Sequence, residues 1–158
     1  MPPTPPLAAR LRPLLLLGLP IAGLRYVAEF VAPEHAGWFG VYYAMALAIA
    51  VLGVRRSWGP IRWRALLGTM ALLAVVVWFV PNLIAYTTGQ FLGWNHGRFH
   101  YGGPGDPANK AAPIAATTLG KIGTGAFVAL LTTVAGTVWC TLWGTLLIWL
   151  PGRLGRKG

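Results

Sequence analysis

The sequence predicts an all-α polytopic membrane protein, a bundle of four transmembrane helices with both termini cytoplasmic. Four apolar runs are separated by short basic segments and one long connection rich in Gly and Pro. Only 10% of the 158 residues are charged and 56% are hydrophobic, whereas a soluble domain carries about 25% charged residues. The formal charge of +10 is concentrated between the runs, which fits positive-inside topology better than nucleic-acid binding.

The first run, 14–32, is about 19 residues, enough to cross roughly 30 Å of hydrocarbon. It begins at Pro13 and contains Pro20. The second, 38–54, is close to the lower limit for a span, and its opening aromatics Trp38, Phe39, Tyr42 and Tyr43 suggest an interfacial belt. The third, 65–86, passes through Pro81 and Asn82, where a kink is expected because proline lacks the amide donor. The fourth, 122–150, is about 29 residues, so it must tilt or emerge from the bilayer.

Arg10 and Arg12 precede the first span, Arg55, Arg56, Arg62 and Arg64 separate the second from the third, and Arg153, Arg156 and Lys157 follow the fourth. The opposite loops hold only Arg98, Lys110 and Lys121, which places both termini in the cytoplasm. A cleavable leader ending near Ala22 and Gly23 is disfavoured: apolar character resumes from Arg25 to Ala32 without a suitable site after it. Residues 1–13 read as a disordered Pro-rich tail, 14–150 as one membrane domain with an external loop at 93–121, and 151–158 as a basic tail. The loop from Arg55 to Arg64, with Trp58 and Trp63 among four arginines, should lie on anionic headgroups. A high Ala, Gly and Arg content, with one cysteine, fits a bacterial inner membrane.

Arg25 and Glu29 are the sharpest chemical feature. They lie one helical turn apart and can pair on one face. Arginine deep in a span costs about 2.5–3.5 kcal/mol on insertion scales, so it should face the bundle or a wet cavity. The pair reads either as a structural ion pair or as a proton or substrate site. Four helices with Glu29 in the first resemble the small multidrug transporters, dimers that exchange protons for cationic substrates. The resemblance covers the helix count and Glu29 alone. Arg25 would oppose a cation, and the long external connection departs from that pattern. A carrier built on this chain would take an anion at Arg25, with Pro81 and Asn82 supplying an interrupted helix.

His35, His96 and His100, with Glu34 or Asp106, fall on the external side and are weak candidates for a metal site. Their spacing is unspecific, and no histidine lies within a span, which argues against intramembrane haem. No cofactor is called for. The external loop carries Trp94, Asn95, Arg98, Phe99 and Tyr101 among glycines, a combination suited to contacts with a ligand or partner. It lacks the phosphate-loop pattern.

In the fourth helix, Thr133, Thr137, Thr141 and Thr145 recur every four residues beside Gly136, Cys140 and Gly144. Such small residues form a face for close helix packing, within the bundle or against another chain. Cys140 stands alone, so no intrachain disulfide or Cys-x-x-Cys chemistry is available. The expected function is a non-catalytic accessory or assembly subunit that contacts lipid and other membrane subunits or its own copies, not nucleic acid. The alternative is a small ion-coupled transporter working through Arg25 and Glu29.

Overall fold

The computed structural model describes residues 6–32, 35, 39–55, 57–94 and 115–154. Among them there is no strand, and four helices form the bundle: α1 (Leu7–Val31), α2 (Val41–Val54), α3 (Trp63–Leu92) and α4 (Thr118–Leu154). Three of these are long and apolar enough to cross a membrane, and α2 is the exception.

The first helix begins at Leu7, so residues 7–13 are not part of an unstructured tail. The segment Leu7-Ala8-Ala9-Arg10-Leu11-Arg12 consists of strong helix formers, which carry the helix back through Pro13. Its buried stripe, Leu11, Leu14, Gly18 and Ala22, continues through half-buried Arg25 to buried Glu29. The opposite face presents Leu16, Leu24 and Val27 outward. Gly18 lets α1 approach closely, since a Cβ there would meet Met45 of α2 and Val77 of α3 at 3.1 Å.

The second helix has 14 residues rather than the 17 or so expected. Its length of about 21 Å falls short of a hydrocarbon core of about 30 Å. Tyr43 is exposed, as a belt residue should be, but Tyr42 turns into the bundle. The connection to α3 also departs from expectation. Trp58 does not lie on headgroups but is buried in the core, closing that end of the bundle, and Gly59 adopts φ +60° beside it.

α3 and α4 each contain a π-helical stretch shortly before a proline: Val75–Phe79 before Pro81 and Thr145–Trp149 before Pro151. In each, the residue preceding proline donates its N–H to the carbonyl five back, Val80 to Val75 and Leu150 to Thr145. The wider turn accommodates the donor that proline lacks. The helix therefore continues through Pro151 to Leu154 instead of stopping there.

α1 packs against α2 and α3, and α4 packs against the same two, so α1 and α4 occupy opposite corners. The buried seam of α4 is made of small residues, Gly125, Ala129, Thr133, Gly136, Cys140 and Gly144. Larger side chains of α3 fill the space they leave. A Cβ at Gly136 would meet the Trp78 ring at 2.7 Å, and one at Gly144 would meet Leu66 at 3.2 Å.

Candidate functional site

Arg25 lies on the inward stripe of α1, where the cost of placing a guanidinium in lipid would drive it. Its Nε is 3.9 Å from Oε1 of Glu29, an ion-pair distance longer than a hydrogen bond. Glu29 is 5% exposed, whereas 30% of the Arg25 side chain remains open. The pair thus combines a sequestered carboxylate with a guanidinium that still has accessible surface.

That surface belongs to a cavity of about 240 Å³ between the helices. Arg25 and Tyr26 of α1, Tyr42 of α2, Trp78, Asn82 and Tyr86 of α3, and Thr132 of α4 contribute to its lining. The space is smaller than the roughly 300–1,000 Å³ typical of drug-sized ligands. The cavity lies where α2 begins, because Val41 and Tyr42 are both in its wall. The N-cap Gly40 supplies no side-chain hydrogen bond there. A helix start carries a partial positive charge of about half an elementary unit, so it adds to the field of Arg25.

A polar network ties the wall together. Tyr26 donates its hydroxyl to Oδ1 of Asn82 at 2.7 Å, and Nδ2 of Asn82 donates to the Trp78 carbonyl at 2.8 Å and to Oγ1 of Thr132 at 3.0 Å. Thr132 in turn donates to carbonyls of its own helix, at Val128 and Ala129. Tyr42 stacks obliquely on Trp78, with ring centroids 5.1 Å apart, and its backbone carbonyl accepts the indole N–H of Trp139 at 2.9 Å. A buried amide satisfied on both its oxygen and its nitrogen holds three helices in one register.

A second cavity, about 430 Å³ and predominantly apolar, lies between α1 and α3. Leu19 and Gly23 face Val80, Pro81 and Ile84 across it, and Trp94 contributes to its wall. Tyr26 lines both cavities.

Other residues singled out by the sequence fall elsewhere. Thr133, Gly136, Cys140 and Gly144 are buried within the bundle, and Thr137, Thr141 and Thr145 are half-buried beside them. Thr133, Thr137 and Thr145 donate back to carbonyls four residues earlier on α4, the local bonding expected of helical threonines. His35 is exposed, while His96, His100, Glu34 and Asp106 lie outside the described residues. No group of three His, Cys, Asp or Glu residues suited to a metal occurs among the described residues. Trp94 is half-buried, while Asn95, Arg98, Phe99 and Tyr101 also lie outside the described residues. The returning chain is anchored by Ala115, whose N–H donates to Oε1 of fully buried Gln90 at 2.9 Å.

Sequence pattern alone does not single out Tyr26, Tyr42, Trp78 or Tyr86, which only the folded arrangement brings to the cavity. Only Tyr26, adjacent to Arg25, carried a hint. No protein-family model, curated protein or solved structure matches this chain.

Proposed function

We propose that the protein is an integral membrane carrier for an anion with a compact head group, which binds at Arg25 and competes with Glu29 for its guanidinium. The observation that carries this reading is the cavity of about 240 Å³, into which Arg25 exposes surface beside the start of α2. A guanidinium fork and an uncapped helix N-terminus both favour an oxyanion, and phenol, amide and hydroxyl groups complete a polar wall. The arginine and the small volume both weigh against the cationic, drug-sized cargo of the small multidrug transporters. Competition for one guanidinium links anion binding to the charge state of Glu29, which is the requirement for ion coupling. The location proposed is a bacterial inner membrane with both termini cytoplasmic, on the distribution of basic residues.

The test is uptake of radiolabelled methanesulfonate, an anion too acidic to cross lipid as its neutral form, by proteoliposomes containing the purified chain. Arg25→Gln is expected to reduce uptake at least tenfold. Glu29→Gln is expected to retain uptake but lose its response to an imposed pH gradient. Uptake unaffected by Arg25→Gln rejects the carrier.

A non-catalytic subunit of a larger membrane assembly is the second reading, favoured by the outer face of α4, where Phe127, Leu131, Val134 and Val138 are exposed. Gly136 and Gly144 are occupied by contacts within the bundle, so partners would meet this outer face instead. Native mass spectrometry of protein extracted from its own membrane separates the two readings. Companion subunits at fixed ratio support the subunit, and a single chain or homo-oligomer supports the carrier.

A further inference from the structure

We propose, resting on the anion site above, that its ligand is a long-chain carboxylate arriving sideways from the lipid. Its alkyl chain would lie between α1 and α3, and its carboxylate would reach Arg25 past Tyr26. The groove of about 430 Å³ is walled by apolar side chains, and Leu19, Val80 and Ile84 are each exposed on its rim. In a bilayer such a groove is filled by hydrocarbon, because an empty one forfeits contacts along its whole lining. The polar cavity holds the complementary charge, a guanidinium whose planar fork matches a carboxylate.

Tyr26 is the common wall. Its hydroxyl bond to Asn82 links α1 to α3 between the two spaces. When the phenol swings aside, Asn82 retains its bonds to the Trp78 carbonyl and Thr132. Opening breaks the Tyr26–Asn82 bond and leaves the α3–α4 bonds of Asn82 in place. A single alkyl chain matches the elongated apolar groove, and a compact head matches the inner cavity of about 240 Å³.

Two glycines allow a clean test. A Cβ added at Gly23, in the groove wall, meets nothing within 4 Å, and the same is true at Gly68. Gly68 lies about 18 Å from Val80 along α3. Full-length protein in nanodiscs of a zwitterionic lipid is photolabelled with a fatty acid carrying a mid-chain diazirine. Labelling is expected on groove residues. It should fall at least tenfold in Gly23→Leu and in Arg25→Gln, and remain unchanged in Gly68→Leu. Thermal stabilisation by methanesulfonate, which has no chain, should persist in Gly23→Leu and disappear in Arg25→Gln. Labelling that ignores Gly23→Leu, or that spreads evenly over the lipid-facing surface, overturns lateral access while leaving the anion site standing. Stabilisation by methanesulfonate that survives Arg25→Gln overturns the anion site itself.

Discussion

The turns before Pro81 and before Pro151 are the same backbone event in two settings. Each is a five-residue π-helical stretch that places proline two positions beyond its end. In α3 the disturbed turn is occupied by a polar side chain, for Asn82 donates to the Trp78 carbonyl and extends to α1 and α4. In α4 it is covered by backbone. Proline at position 151 cannot donate to the Leu147 carbonyl four residues back. That carbonyl lies against α2, since a Cβ added at Gly53 would collide with it. The first solution leaves a cavity with hydrogen-bonding groups around it. The second brings two helices into direct contact and leaves no room. An interrupted helix therefore becomes a site only where a polar side chain, rather than a neighbouring backbone, takes up the disturbed turn.

Three substitutions probe this contrast. Gly53→Leu should have the largest effect, because backbone of α4 blocks the new side chain and neither helix can yield locally. A loss of about 3 kcal/mol, at the upper end of overpacking costs, is expected in reversible unfolding from detergent micelles. A loss under about 1 kcal/mol would mean that α2 and α4 separate easily, and the contrast would collapse. Asn82→Leu should cost less, about 1 kcal/mol, because hydrogen bonds between membrane helices average about 0.6 kcal/mol and reach about 1.7. The same unfolding assay reads it, and a cost equal to that of Gly53→Leu would show that the polar turn is as tightly packed as the closed one. Tyr26→Phe should have the smallest effect, about 0.5 kcal/mol, since it deletes the hydroxyl bond to Asn82 and preserves the ring. Faster hydrogen exchange confined to α1 and the facing part of α3 would sharpen the picture of Tyr26 as a movable wall.

The helical bundle was legible because apolar length is a strong signal, and the inward position of Arg25 followed from the cost of exposing it to lipid. The start of α1 is hidden in the sequence because Pro13 has the features of a first helical residue, whereas the Ala, Leu and Arg residues before it sustain a helix through it. Tyr42 and Tyr43 could not be separated by composition. They are adjacent aromatics on different faces, and only the approach of Trp78 and Trp139 decides which one turns inward. Asn82 was visible as a polar residue in an apolar run, but its partners Tyr26 and Thr132 lie 56 and 50 positions away. The small residues of α4 announced close packing without identifying the neighbour, because small-residue faces serve bundles and oligomers alike.

The brevity of α2 has a consequence for the surrounding lipid. With 14 residues beside helices of 30 and 37, the bundle presents uneven hydrophobic heights around its perimeter. Lipid bordering α2 must thin, or water must dimple inward there, at a cost of fractions of a kcal/mol for each ångström of mismatch. Over a shortfall of about 9 Å this becomes a preference measured in whole kilocalories. Short-chain lipids relieve that mismatch, so bilayer thickness acts as a thermodynamic variable on a bundle of this shape.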